Sequence, residues 1–282
     1  MTHNRMGSKR KDRNGRPWLA VLAGGLVGLA LLPATGLGLD VLMDENFEGY
    51  AAVPAVLDGL SPDDGNEAEW IWTGEGATAN VIQGSSTDGS GANQRILRLQ
   101  ATTTPEFVRV RFHRSFAAPV SPQTGVRIVH ASFKLKLDDD AWGNDLVFGL
   151  MHGDGSAAPN RLTIAHISGN NTLRYRSCLS PGVYGNYVQV TPGFTFNLTD
   201  WYRIDITADL ELQKWSLSVV NLNDPSNSAS AEDIWFALDE QEVAGFYVSN
   251  RSGSYGYFDG SMDDLRITGD PGPGSLILLG AR

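Results

Sequence analysis

The sequence contains a single cysteine, Cys178. One thiol cannot form a disulfide within the chain, so a monomer must draw its stability from core packing. Cys178 stands in the run Arg-Ser-Cys-Leu at residues 176–179, and no second thiol or general base lies beside it. Because catalytic and redox cysteines work with such a partner, these neighbours predict a buried or inert thiol.

Basic residues are scarce as well, with 22 Lys and Arg against 32 Asp and Glu. Residues 1–38 hold six of the basic residues and one acidic residue, so the chain without them has 16 basic and 31 acidic residues, a net charge of −15. Nucleic acids and anionic lipid surfaces are bound through basic faces, so this composition argues against both as partners. It suits a soluble extracellular protein and a cation site.

Residues 1–38 have the pattern of an export signal. The six basic residues precede an apolar run at residues 18–32, and small residues follow at residues 33–38. This order is typical of a signal peptide cleaved near residue 36 or 38. A retained anchor is the alternative, but the apolar run is shorter than the roughly 20 residues that a spanning helix needs. We predict export to the extracellular space, cell surface or periplasm, with no membrane association after cleavage.

Helical periodicity is scarce in the rest of the chain. Almost every segment alternates apolar and polar residues with period two, as in residues 107–114 and 132–138. This alternation is typical of strands with one face in the core, and the connecting segments are rich in Gly, Asn, Asp, Ser and Pro. Residues 230–233 are expected to cap one short helical turn before residues 234–236. No repeat or linker divides the chain, so we predict one all-β domain at residues 39–268, an antiparallel jelly-roll sandwich.

Two acidic segments mark the ends of this domain. Asp44 and Glu45 lie at its beginning, and Asp263 and Asp264 lie near its end. If the chain closes on itself, the terminal strands are neighbours in one sheet and these carboxylates come together. The alternative is that both segments carry solvated carboxylates on edge strands.

The order of these features resembles the laminin-G/concanavalin A-like jelly roll of exported bacterial proteins. The resemblance covers residues 44–268. It rests on Phe-Glu-Gly at residues 47–49, the hairpin of residues 201–209 and 214–219, and the closing run at residues 262–267. It implies the sandwich fold, which hosts lectins, adhesins, glycanases and lyases, and so does not fix the function.

The resemblance also implies a calcium site. In calcium-bearing carbohydrate-binding jelly rolls the opening and closing segments supply oxygen ligands, which by position are Glu48, Asp263 and Asp264 here. Because successive strand residues point to opposite faces, we expect only one of Asp263 and Asp264 to face the ion. Asp44 or Glu45 and backbone carbonyls would complete the shell. Such an ion would be structural.

A second resemblance lies at the C-terminus. Residues 271–280 are similar to the start of a PEP-CTERM sorting tail, with Gly272 where that motif has Glu. The apolar part is too short to span a bilayer, and only Arg282 represents the basic end. We interpret residues 269–282 as a flexible tail with a degenerate sorting signal.

Aromatic residues beside polar ones are the candidates for ligand binding. A tyrosine or tryptophan ring stacks on the apolar face of a sugar while polar neighbours bond its hydroxyls. The candidate residues are Trp142, Arg174, Tyr175, Arg176, Tyr184 and Tyr187. The alternative is that these rings fill the core, as we expect for Trp201 and Trp215. A polysaccharide or other glycan is the partner that these residues favour.

Signatures of catalysis are weak. Hydrolases of this fold place alternating carboxylates on one strand, whereas Asp205 and Asp209 would lie about 13 Å apart along a strand. A lyase needs a Tyr/His acid–base pair, for which Tyr184, Tyr187 and one of His113, His130, His152 and His166 are candidates, but the Arg-Glu and Gln-Ile-His motifs that accompany such a pair are missing. We interpret His166 itself as a strand residue with a hydrogen-bond partner. We favour a non-catalytic module that binds glycan or contributes to an extracellular matrix or cell surface. A polysaccharide lyase or hydrolase is the first alternative, and a purely structural or adhesive protein is the second.

Overall fold

A computed structural model describes residues 39–47, 55–56, 70–73, 77–83, 95–101, 111–138, 146–153, 160–250 and 258–271. The predicted export signal, Glu48, Trp142 and residues 272–282 of the predicted tail lie outside the described residues. In the part that is described, no helix has the length and apolar character needed to cross a membrane.

The described residues form sixteen β-strands and one 3₁₀ turn at Pro122–Thr124. In chain order the strands are β1 (Asp40–Glu45), β2 (Ala55–Val56), β3 (Trp70–Thr73), β4 (Ala77–Gln83), β5 (Arg95–Ala101), β6 (Arg111–Val120), β7 (Ile128–Leu137), β8 (Leu146–Met151), β9 (Ala165–Ser168), β10 (Thr172–Ser180), β11 (Val183–Gln189), β12 (Trp201–Asp209), β13 (Lys214–Asn221), β14 (Ser228–Trp235), β15 (Val243–Asn250) and β16 (Phe258–Asp270).

These strands form two antiparallel sheets. The first has the order β14-β13-β12-β7-β16-β5-β4-β2, with β1 also paired to β16, and the second has the order β11-β10-β9-β8-β15-β6-β3. The chain crosses repeatedly from one sheet to the other, since β5, β7 and β12 belong to the first and β6 and β8 to the second. The predicted all-β fold, an antiparallel jelly-roll sandwich, is therefore confirmed.

The main core lies between the two sheets. Phe133 of β7 packs edge-on against Phe148 of β8 and Phe246 of β15, with ring centroids 5.4 and 5.3 Å apart. Each large apolar side chain buried in this way contributes about 1.5–3 kcal/mol, and each aromatic pair adds roughly 0.5–1.5 kcal/mol. Trp201 and Trp215 are also buried, which confirms their predicted structural role.

The first and last strands of the domain are neighbours. Strand β1 pairs antiparallel with β16, which sets Asp40 opposite Gly269 and Asp44 opposite Arg266. The carboxylate of Asp44 lies 3.5 Å from Nη1 of Arg266. The prediction that the terminal strands close the chain within one sheet is confirmed.

Residues 230–233 do not cap the helical turn that the sequence predicts. They lie within β14, in which Ala229 pairs with Val219 of β13. Asp233 has a φ of 57° at the point where the register of the two strands shifts. The helix prediction is wrong because pairing with β13 and the burial of Ala229 and Ile234 outweigh the local capping pattern.

Candidate functional site

Two of the predicted calcium ligands lie at a bulge in β16. The register of β16 against β7 shifts between Asp263 and Arg266, and Asp264 has a φ of 49°. The backbone N–H of Asp264 donates to Oδ1 of Asp263 at 2.8 Å. Because the bulge interrupts the expected alternation, both carboxylates reach one ammonium group: Nζ of Lys134 lies 3.8 Å from Oδ2 of Asp263 and 2.5 Å from Oδ2 of Asp264.

This ammonium group bears on the calcium prediction. Lys134 supplies the positive charge that both carboxylates attract, and a calcium ion beside them would have to displace it. Within the described ranges, no group of three or more His, Cys, Asp or Glu side chains could hold a metal ion. The described residues therefore do not fit a calcium ion. Glu48 lies outside them, and calcium binding by Glu48, Asp263 and Asp264 stays a prediction.

Glu45, which we considered for the calcium shell, turns into the protein interior. Its Oε2 lies 3.6 Å from Nη1 of Arg114, and both side chains are completely buried. Its Oε1 accepts the backbone N–H of Phe47 at 3.0 Å. Both oxygens thus face groups of the protein itself.

Five of the six predicted ligand-binding residues lie on the hairpin of β10 and β11, at one edge of the second sheet. Gly182 in the connecting turn has a φ of 73°, a conformation that favours glycine. Gly185 lets the two strands approach, because a Cβ there would lie 2.6 Å from Oγ of Ser177. The pairing sets Arg176 opposite Tyr187 and Arg174 opposite Gln189.

Alternation along β10 separates these residues into two faces. Leu173 belongs to the main core, and Tyr175 packs against that core with its ring perpendicular to the ring of Trp215, 6.5 Å away. Arg174 and Arg176 therefore point away from the core, onto what we call the outer face of the second sheet. Tyr175 does not join them and packs against the core, as the alternative interpretation of these rings expects.

Arg176 lies between two tyrosine rings on the outer face. Its Cζ is 5.2 Å from the ring centroid of Tyr184 and 5.0 Å from that of Tyr187. Each such cation–π contact contributes about 0.5–1 kcal/mol at an exposed site. The two contacts hold the guanidinium in place, so the three side chains form one preformed unit, which we call the Arg176 cluster. Tyr184 is 50% exposed, which leaves its ring accessible to a ligand.

A row of residues extends from this cluster across the outer face. Five residues lie side by side on neighbouring strands. They are Gln189 on β11, Arg174 on β10, His166 on β9, Val147 on β8 and Ser249 on β15. His166 is buried, and its ring lies 4.9 Å from the ring of Tyr187 at an angle of 58°. Tyr187 and His166 thus meet on the outer face.

Sequence reasoning missed Arg161 and Tyr247, at the far end of this row. Nη2 of Arg161 donates to Oγ of Ser249 at 2.7 Å, and Cζ of Arg161 lies 5.2 Å from the ring centroid of Tyr247. The hydroxyl of Tyr247 donates to the backbone oxygen of Thr163 at 2.8 Å. Tyr247 alternates with core residues along β15, so the strand pattern could have predicted that its side chain lies on the outer face. Nothing in the local sequence marks Arg161.

The hairpin also exposes apolar surface. Of the eight exposed large apolar side chains among the described residues, four belong to it: Leu179, Val183, Tyr184 and Val188. Leu179 is 78% exposed. Apolar side chains that cluster at the surface mark interaction sites, whereas scattered ones do not. The hairpin is therefore the part of the described surface best suited to contact a partner.

Cys178 lies in the same hairpin and is partly buried. Burial raises the pKa of its thiol, against smaller lowering effects from a backbone hydrogen bond with Gly185 and the charge of Arg176. A raised pKa leaves little thiolate near neutral pH, in agreement with the predicted inert thiol.

No protein-family model matches the chain, and no curated protein matches it. Among solved structures, lectin I from Ulex europaeus in complex with the methyl glycoside of α-L-fucose is 13% identical, covers 72% of this chain and 92% of its own, and has a TM-score of 0.48. A carbohydrate esterase from the Shiga toxin-encoding bacteriophage phi24B is 12% identical over 83% of this chain and 100% of its own, with a TM-score of 0.47. Lectin II from Ulex europaeus is 14% identical over 81% and 98%, with a TM-score of 0.46. Likeness at this level carries no argument about what this chain binds.

Proposed function

We propose that the chain is an exported, non-catalytic module that binds glycan through the Arg176 cluster. The observation that supports this function is the guanidinium held between Tyr184 and Tyr187 on an exposed edge hairpin. A sugar ring has an apolar C–H face and a polar rim. An exposed aromatic ring stacks on the face, and a guanidinium with five N–H donors bonds oxygens of the rim.

Neighbouring polar side chains extend the cluster along the hairpin. Arg174 lies two residues before Arg176, about 6.8 Å away along the strand, and faces the same side. Gln189 is its partner across the hairpin, and its Nε2 donates to the backbone oxygen of Phe194 at 3.4 Å. The side-chain oxygen of Gln189 then serves as an acceptor beside the donors of Arg174. A glycan of more than one sugar unit is the ligand that such a strip suits.

A glycan array followed by calorimetry on the best ligand tests this function. We expect Tyr184→Ala to weaken binding about tenfold, as truncation of a central aromatic contact does. Trp235→Ala is the matched control, because Trp235 also stacks with a cation, Lys214 at 4.7 Å, but on the first sheet. Unchanged affinity in a folded Tyr184→Ala variant would remove the cluster from the binding site. An array without any ligand would favour the structural or adhesive alternative.

A second candidate function, a polysaccharide lyase, is favoured by the contact between Tyr187 and His166. In β-elimination a base removes the proton beside a sugar carboxylate, the electron pair forms a carbon–carbon double bond, and an acid protonates the departing glycosidic oxygen. One of Tyr187 and His166 would act as the base and the other as the acid, and Arg176 would neutralise the carboxylate. The unsaturated product absorbs ultraviolet light. Turnover by the wild type that is lost in Tyr187→Phe would establish the lyase, whereas the non-catalytic function requires no such absorbance.

A further inference from the structure

Ion pairing among the described Lys and Arg side chains is uneven. Eight of these eleven side chains lie within 3.6 Å of a carboxylate: Arg98, Arg114, Arg127, Lys134, Lys136, Arg203, Lys214 and Arg266. The other three, Arg161, Arg174 and Arg176, have no carboxylate partner in the described part of the chain. In a chain with a net charge of −10, cations left without a counter-charge are the exception.

The three arginines come from one acid-free stretch of the sequence. Residues 155–199 contain no Asp or Glu, although the whole chain has 32 acidic residues in 282. This stretch supplies β9, β10 and β11, three consecutive strands at one edge of the second sheet. The fold therefore places a segment without Asp or Glu at one edge of the second sheet.

All three arginines belong to the outer face. Arg174 and Arg176 point there by alternation, and Arg161 donates to Ser249 of the row that Arg174 begins. Asp239 packs against Gly182 in the turn of the hairpin, and its backbone N would lie 3.2 Å from a Cβ added at Gly182. Its Oδ1 accepts a hydrogen bond from Gln213 at 3.0 Å, and it pairs with none of the three arginines.

We infer that the glycan bound at the Arg176 cluster is anionic and carries carboxylate or sulfate groups, an inference that rests on the proposed glycan-binding function. A partly buried guanidinium without a counter-charge is unfavourable, and an anionic ligand supplies that charge. The planar N–H donors of arginine match carboxylate and sulfate oxygens in paired, charge-assisted hydrogen bonds. The other basic side chains of the described residues pair with carboxylates, so within the described part of the chain this face attracts a polyanion most strongly.

Pairs of charged and uncharged polymers test the inference on the wild-type chain. Polygalacturonate is compared with its methyl ester, and dextran sulfate with dextran, so that each pair differs in charge on one backbone. We expect the wild type to bind at least one charged polymer about tenfold more tightly than its uncharged counterpart. The preference should shrink as the salt concentration rises from roughly 0.05 to 0.5 M, because screening weakens charge attraction. Preference for polygalacturonate would identify carboxylate as the bound group, and preference for dextran sulfate would identify sulfate.

Matched variants locate the preference. Arg174→Gln/Arg176→Gln should abolish it, whereas Arg203→Gln/Arg266→Gln, with the same change in net charge at exposed pairs on the first sheet, should retain it. Thermal melting verifies that both variants are folded. Equal loss in the two variants would overturn the assignment to this face.

The remaining outcomes separate this inference from the function on which it rests. Equal wild-type binding of charged and uncharged polymers would overturn the charge preference and leave glycan binding intact. Binding of none of the polymers, together with a silent glycan array, would overturn the proposed function itself. Poly-glutamate bound as tightly as polygalacturonate would show attraction to charge without recognition of sugar, and would overturn the inference.

Discussion

Glu45 and Arg114 form an ion pair between the two sheets, with Oε2 of Glu45 3.6 Å from Nη1 of Arg114 and both side chains completely buried. Glu45 ends β1 in the first sheet, and Arg114 lies in β6 of the second. Neither charge has access to water, so each depends on the other and on its hydrogen bonds. The pair therefore fixes how the first strand of the domain is joined to the opposite sheet.

Removal of one charge of this pair should be strongly destabilising. We expect Glu45→Gln to lower the free energy of unfolding by about 3–5 kcal/mol, because the buried guanidinium loses its counter-charge. Glu45→Met/Arg114→Met should lie closer to the wild type, since it removes both charges and fills their volume. Guanidinium-induced unfolding measures the stability of both variants. As a control, Arg266→Gln, at the exposed pair with Asp44, should lower the free energy of unfolding by less than about 1 kcal/mol. A double variant less stable than Glu45→Gln would contradict this account.

Chelation tests the calcium prediction. If Lys134 alone supplies the positive charge beside Asp263 and Asp264, EDTA leaves the melting temperature unchanged. Calcium binding requires the opposite: a lower melting temperature in EDTA, restored by added calcium, and no effect of EDTA on Asp263→Ala/Asp264→Ala. Lys134→Ala is informative in either case, since it leaves the two carboxylates close together without their cation.

The hydroxyl of Tyr202 is a hydrogen-bond centre whose loss should be measurable. It accepts the backbone N–H of Asn197 at 2.7 Å and the side-chain amides of Asn221 and Asn227 at 3.1 and 3.2 Å. Tyr202→Phe keeps the ring but leaves these donors without their acceptor, so we expect a loss of about 1–3 kcal/mol in the free energy of unfolding. A variant as stable as the wild type would show that water replaces the hydroxyl.

Tyr202 should also contribute to stability at alkaline pH. Burial raises the pKa of its hydroxyl, and the charge of Asp200 raises it further, while the hydrogen bonds act against this rise. The folded state then holds the proton after the unfolded state has lost it. The contribution is complete below about pH 10, the ordinary tyrosine pKa, and is lost as the pH rises through the folded-state pKa. When the free energy of unfolding is measured from pH 8 upward, it should therefore fall less steeply in Tyr202→Phe than in the wild type.

Thiol alkylation reports on the position of Arg176. Because burial raises the pKa of Cys178, iodoacetamide should label the folded protein slowly at neutral pH and faster only in alkaline solution. The charge of Arg176 lowers that pKa, so Arg176→Gln should raise it and slow labelling further. Arg203→Gln serves as the control and should label at the wild-type rate. Faster labelling of a folded Arg176→Gln variant would contradict the lowering of the Cys178 pKa by the charge of Arg176.

The sandwich and its closure were predictable because they depend on a local property, the alternation of apolar and polar residues, repeated along the chain. The same alternation distinguishes Tyr175 from Arg174 and Arg176, since successive strand residues point to opposite faces. The prediction grouped all three as ligand-binding because it weighed residue type above position. The structure divides them, with Tyr175 against Trp215 and the arginines on the outer face.

What sequence reasoning missed depends on long-range pairing or on single backbone angles. The pairing of Glu45 with Arg114 and the bond from Arg161 to Ser249 join distant segments, and nothing in either local sequence selects the partner. The left-handed conformation of Asp264 makes a bulge that brings two successive carboxylates to one lysine. A strict two-residue period cannot anticipate such a bulge.

The pairing of β1 with β16 also determines how the domain responds to mechanical load. Asp40 lies opposite Gly269, so forces applied at residues 40 and 270 pull at the same end of two antiparallel strands. In this geometry the hydrogen bonds open one after another, as in a zipper, and do not resist together as they would in shear. The opening would travel from Gly269 toward Leu265 and would reach Glu45, with its buried bond to Arg114, last. The hairpin of β10 and β11 belongs to the other sheet, so tension on the two ends would detach β1 while the Arg176 cluster is still in place.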